Sequence, residues 1–173
     1  MPKIIIDLEK KLLASARKII ERDGFEAFSM KGVAKESSIA VGTIYNYYPD
    51  KNSIFTGIVQ EDWLSLSNKI TSAIPSLKSF KEGIRLLYDS FTSFSLDHQS
   101  LFAHFATSGN EAYYASYRNF VEEGGKLLRL MGEKFEVTSE ASRYHIAASM
   151  FSYAIHYPNV PYEEIEDSII RLL

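Results

Sequence analysis

The sequence predicts an all-α fold: an N-terminal three-helix head followed by a C-terminal helical bundle, about nine helices in all. Three observations carry the prediction. Apolar residues recur at three- and four-residue spacing through most of the 173-residue chain. Ser, Thr, Asp and Asn stand ahead of those runs, where helices are capped, and Pro or Gly follows them. No segment alternates apolar and polar residues as a half-buried strand does.

Taken in order, the first helix is amphipathic, with Leu12-Leu13-Ala14 in its stripe, and is followed by Gly24-Phe25. Ser29 caps a short second helix whose apolar positions are Met30, Val33 and Ala34. Ser37-Ser38 interrupt it and Ile39 returns the chain to the core. A third helix starts at Val41, with Ile44 and Tyr48 four apart and facing inward. That leaves Val41, Thr43, Asn46 and Tyr47 outside. Pro49 breaks the chain and Asp50 caps a long helix from Lys51 to about Ile74, stopped by Pro75. Lys78 to about Leu96 keeps a stripe through Ile84, Leu87, Phe91 and Phe94. A short helix spans about Ser100 to Thr107. Asn110 caps a helix to about Met131, which Gly124-Gly125 would loosen or kink. Thr138 or Ser139 caps the next, to about Tyr157; after Pro158, Pro161 fits the first turn of a final helix ending near Leu173. The domain boundary falls between residues 50 and 51, giving a head of residues 1–50 and a body of 51–173.

Two short helices joined by a tight turn, the second exposed, form a helix-turn-helix. In such units the second helix enters the DNA major groove while the first crosses the backbone. Gly42 lowers helix propensity, so close approach to a base edge or phosphate is a reason for it. Thr43 can bond a base or offer its methyl to thymine, and Asn46 can read adenine. Tyr45, Tyr47 and Lys51 suit phosphates, which set register rather than sequence. Lys31 is a further groove contact, beside the capping Ser29.

The segment Leu12 to Phe55 resembles the tetracycline-repressor (TetR) family of transcription regulators. Their pattern is an amphipathic helix, G-[FY], a Thr or Ser, an I/V-A pair, G-[TS]-[LI]-Y-x-[YH]-F and a Lys. Here it stands as Leu12-Leu13-Ala14, Gly24-Phe25, Ser29, Val33-Ala34, Gly42-Thr43-Ile44-Tyr45-Asn46-Tyr47-Tyr48, then Lys51 with Ile54-Phe55. The resemblance implies that Gly42 and Thr43 face bases while Tyr45, Tyr47 and Lys51 hold phosphates. Three positions depart from the pattern. Ser37-Ser38 replaces the usual Ala-Gly of the turn, Ala40 replaces a capping Ser, and Val41 replaces a polar residue.

The same resemblance implies a ligand-binding and dimerising body. Candidate pocket residues are Trp63, Tyr88, Phe91, Phe94, Phe102, His104, Phe105, Tyr113, Tyr117, Phe120 and Tyr144, suited to an aromatic or lipophilic small molecule. For each of them, filling the core is the plainer reading. The last two helices would pair with their copies in a four-helix homodimer interface, through Ala147, Met150, Phe151, Ala154, Ile165, Ile169 and Leu172. Two heads about one helical turn apart would read a palindromic operator in double-stranded DNA.

Charge and composition bound the rest. The net charge is −3, but residues 1–57 hold nine Lys/Arg against seven Asp/Glu, and the remainder ten against fifteen. The cationic excess thus sits where phosphate would be met. The chain has no cysteine, which excludes disulfides and thiolate sites. No apolar run approaches a membrane span, and the expected location is the cytoplasm. His98, His104, His145 and His156 form no ligand spacing, and no G-x-S-x-G or phosphate loop occurs, so neither metal, cofactor nor catalysis is expected. The expected function is a dimeric repressor released from its operator by a small ligand. The competing reading is a DNA-binding structural protein that recruits a protein partner through its acidic body and has no inducer.

Overall fold

A computed structural model describes residues 2–25, 27–108, 111–137 and 140–170, with side chains described at 8–25, 27–105, 117–137 and 145–169. Among the described residues there are nine α-helices, one 3-10 turn and no strand. No helix among them is long and apolar enough to cross a membrane. The chain divides into two compact units, Met1–Glu61 and Asp62–Leu173.

In the first unit, α1 (Pro2–Asp23) buries Leu12, Leu13, Ala16 and Ile19. Gly24 ends it at φ +80°, a left-handed conformation that glycine adopts without strain, and its N–H donates to the Ile20 carbonyl at 3.0 Å. α2 (Met30–Ser37) is capped by Ser29, whose Oγ accepts from the Gly32 N–H at 3.1 Å. The turn then runs through Ser38 at φ 56°, a left-handed conformation that costs a non-glycine residue energy. α3 (Val41–Tyr47) follows, and its N-cap Ala40 makes no side-chain cap. α4 (Lys51–Ala73) opens with a reciprocal cap: the Ser53 N–H donates to Asp50 Oδ1 at 2.7 Å, and the Asp50 N–H donates to Ser53 Oγ at 3.2 Å.

The first turns of α4 pack with the head. Ile54, Phe55 and Ile58 are buried, and the Phe55 ring sits 4.4 Å from Phe25 and 4.7 Å from Phe28. Compact packing divides the chain at Glu61–Asp62, inside the continuous helix α4.

The second unit holds the rest of α4, a 3-10 turn (Ile74–Ser76), α5 (Phe80–Asp97), α6 (Gln99–Ser108), α7 (Glu111–Phe135), α8 (Glu140–His156) and α9 (Tyr162–Ile170). α5 is the central element and packs against α6, α7, α8 and α9, while α7 packs along α8. α5 begins at Phe80 rather than Lys78, capped by Ser79, whose Oγ accepts from the Glu82 N–H at 3.1 Å. The expected caps Asn110, Thr138 and Ser139 lie outside the described residues. α7 runs through Gly124-Gly125 as one helix. A Cβ on Gly124 would stand 3.0 Å from Phe91 Cζ and 3.4 Å from Ala147 Cβ, so that glycine serves close approach of α5 and α8 rather than a kink. The Lys134 ammonium closes the end of α4, donating to the carbonyls of Ile74, Pro75 and Leu77 at 2.6–2.9 Å.

Candidate nucleic-acid interface

α3 is seven residues long and buries only Ile44, which is 0% exposed. Helices this short do not persist alone, so Ile44 and the packing of α3 on α2 hold it in place. The rest of its surface is open. Val41 is 38% exposed and Tyr45 49%; Gly42 and Asn46 are exposed, and Thr43 and Tyr47 are half-buried. Tyr48 departs from the inward-facing expectation. It is the C-cap of α3, with extended backbone, and only half-buried, because its ring turns onto Gly57 of α4. Burial first, then Glu9 and Glu61, push its hydroxyl up to about 12, so it stays an uncharged phenol.

Gly42 has a normal helical φ, and a Cβ added there would meet no heavy atom within 4 Å. Nothing inside the chain requires a glycine at this position. Lys31 is exposed on the first turn of α2, and Lys51 is exposed at the start of α4. Ser29 is exposed, with its Oγ occupied by the cap.

The head's arginines are committed elsewhere. Arg17 donates to the Ile58 carbonyl at 3.2 Å and pairs with Glu61 at 3.0 Å. Arg22 pairs with Asp23 at 2.8 Å and Glu36 at 3.2 Å. The hydrogen bonds that Arg22 donates to Asp23 and then to Glu36 raise its pKa further, and the bond from Arg22 holds Asp23 below the ordinary carboxylate range. The exposed cations left to meet a polyanion include lysines, Lys31, Lys35 and Lys51 among them. Sequence spacing did not reveal this sorting, since Arg22 and Glu36 lie on different helices.

In the second unit the aromatic residues separate into two groups. The Trp63 ring lies 5.0–5.8 Å from Phe91, Phe94, Phe120 and Phe151, and Tyr117 meets Phe151 edge to face at 5.6 Å. Trp63 is 4% exposed and its indole N–H is buried with no hydrogen-bond partner. Phe102 and Phe105 are buried and His104 is half-buried. Tyr88 stands apart. It donates to the Val160 carbonyl at 2.7 Å and lines an open groove of about 350 Å³ between α5 and the 158–162 segment. The side chains of Tyr113 and Tyr144 lie outside the described residues.

Of the residues expected at a dimer interface, Ala147, Met150, Phe151, Ala154, Ile165 and Ile169 are all buried within the unit itself, and Leu172 lies outside the described residues. The apolar circumference of α8 is consumed by α5 and α7. Its open side carries His145, Tyr153 and His156, continued by Tyr157, whose ring is 5.7 Å from that of Tyr153.

Residues 12–58 match the family described as bacterial regulatory proteins, tetR family. The chain is similar to an HTH-type transcriptional regulator of Staphylococcus aureus (strain bovine RF122 / ET3-1). The two are 22% identical over 179 aligned positions that cover 99% of this chain and 95% of that protein. Its fold is similar to that of Thermus thermophilus FadR, described as a TetR family transcriptional repressor in complex with lauroyl-CoA. The TM-score there is 0.67, with 15% identity over 95% of this chain and 92% of that one. It is also similar to RolR in complex with resorcinol, with a TM-score of 0.69 and 13% identity over 100% and 90% of the two chains. Residues 12–58 thus carry the helix-turn-helix head of the tetR family of bacterial regulatory proteins, and the all-helical body has the fold of those solved structures.

Proposed function

We propose that the chain is a homodimeric repressor of the bacterial cytoplasm that leaves a palindromic operator when its body binds a small lipophilic or aromatic molecule. The observation that carries the DNA reading is α3 itself. It is a helix anchored by Ile44 alone, with a glycine that no internal contact demands placed on its open face beside Thr43. In this reading Gly42 lets the helix sit close in the major groove, Thr43 and Asn46 read base edges, and Val41 meets a thymine methyl. Tyr45, Tyr47, Lys31 and Lys51 meet phosphates near the α2 start capped by Ser29. Few cations are available, so a moderate salt dependence is expected.

The ligand reading is supported by two solved relatives whose described ligands are lauroyl-CoA and resorcinol. It is supported too by the buried, unpartnered Trp63 N–H among four aromatic rings, a donor that an acceptor on a bound ligand would satisfy. Ligand would enter by parting these rings, and the affinity difference between the parted and closed states would set the response. A second copy of the chain would cover Tyr153 and Tyr157. Close packing of the Trp63 cluster favours the other reading, a regulator without an inducer that recruits a protein partner. Footprinting on DNA flanking the gene, with sedimentation of the protein, tests the proposal. A symmetric footprint that persists near physiological salt and a dimeric mass are expected. A diffuse footprint lost with salt, or a monomer, would overturn it. Failure of every lipophilic or aromatic compound in a broad screen to release the footprint would leave the inducer-free reading.

A further inference from the structure

At the corner where α5 meets α6, His98 is buried and its two ring nitrogens face two acceptors. Nδ1 lies 2.8 Å from the Phe94 carbonyl oxygen, and Nε2 lies 2.9 Å from Asp62 Oδ2 on α4. A carbonyl oxygen cannot donate, so Nδ1 carries a proton. The second contact also needs a proton, held by Nε2 against the carboxylate or by the carboxyl against Nε2. Either way the pair holds one proton more than a neutral imidazole beside an ionised carboxylate. Without it the ring keeps a single proton, so a ring-nitrogen lone pair faces either the Asp62 carboxylate or the Phe94 carbonyl, and one of the two contacts becomes repulsive.

We propose that His98 and Asp62 form a proton-dependent latch fastening α4 to the α5–α6 corner. His98 is the C-cap of α5, its N–H bonding the Phe94 and Leu96 carbonyls, so the negative end of that helix faces the ring. The Phe94 ring, 4.5 Å away, and the Phe102 ring of α6, 6.1 Å away, flank it. The charged group that the ring meets is Asp62 of α4. On α5 the neighbouring Asp97 is exposed, and α6 presents Leu101 and Phe102. α7 lies behind Phe94 through Phe120. The latch is made with the proton bound, so its contribution to stability is present at low pH and is lost as pH rises. α4 is the helix that begins in the head at Lys51, so the latch makes the hold on this helix responsive to pH.

The test uses the full chain. Urea unfolding of wild type, His98→Gln and Asp62→Asn is followed from about pH 5.5 to about 8.5, bracketing ordinary imidazole titration. The unfolding-constant ratio between wild type and either variant should change by about tenfold across the range, with wild type losing its advantage toward alkaline pH. That is the size of one charge-assisted bond to a partly exposed carboxylate. A ratio constant with pH overturns the proposal. Should either variant fail to fold, the ¹⁵N shifts of the wild-type His98 ring decide. Two protonated ring nitrogens giving way to one on raising pH, or a singly protonated ring beside an Asp62 carboxyl whose ¹³C shift reports loss of its proton, support the latch, and a singly protonated ring beside an ionised Asp62 at every pH overturns it. These readouts concern folding and protonation alone, so their failure is separate from any failure of the repressor reading.

Discussion

Replacing Gly42 by alanine should move stability and DNA affinity in opposite directions. Gly42 is the second residue of α3, its φ is helical, and an added Cβ would enter open space with no heavy atom within 4 Å. The methyl therefore introduces no strain. Alanine exceeds glycine in a helix by about 1 kcal/mol, and near a helix end the gain is closer to about 0.5 kcal/mol. Urea unfolding of Gly42→Ala should show a stabilisation of about 0.5–1 kcal/mol. On an operator bound as proposed, the same methyl would occupy the space between α3 and the groove wall. Losing one well-placed base contact costs about 1–3 kcal/mol, so anisotropy titrations should show an affinity about ten- to a hundredfold weaker. Unchanged affinity would mean that the open face of α3 does not approach DNA closely at Gly42. A destabilised variant would mean that the space beside Gly42 is not open.

Three other substitutions probe the same surface and its support. Ile44→Val should cost about 0.5–1.5 kcal/mol and Ile44→Ala about 2–5 kcal/mol, because Ile44 is the only side chain α3 buries. Urea unfolding of the two should be matched by graded loss of operator binding; full binding by the alanine variant would show that α3 is held by something else. Tyr45→Ala, at a half-exposed position, should leave unfolding unchanged and weaken binding about equally on all sequences. Thr43→Ala should instead relax preference at one base pair by about 1–3 kcal/mol, read by competition among operator variants. Ser38→Gly relieves a left-handed serine, a penalty of about 1–2 kcal/mol, offset by about 0.5–1 kcal/mol of added unfolded-chain entropy. The net stabilisation of up to about 1.5 kcal/mol should appear as a higher urea midpoint.

What the sequence by itself determined is the helical order of the chain and the helix-turn-helix within it. Those features are local. A cap such as Ser29, a stop such as Gly24 or Pro75, and an apolar residue such as Ile44 four positions from Tyr48 act over one or two turns, so each is written in neighbouring residues. Even locally, a turn could overrule spacing. Tyr48 sits at the right interval to be buried but falls after the last turn of α3, where the backbone extends and the ring lies against Gly57. Tertiary structure alone decided which face of α8 is spent. Ala147, Met150, Phe151 and Ala154 could as well have met a second chain, and sequence periodicity cannot distinguish a core made within one chain from one shared by two. It also decided that Arg17 pairs with Glu61 and Arg22 with Glu36, that Gly124 serves a close helix contact rather than a kink, and that His98 meets Asp62 thirty-six residues away. Those pairings arise when distant helices pack, and the distances that decide them exist only in three dimensions.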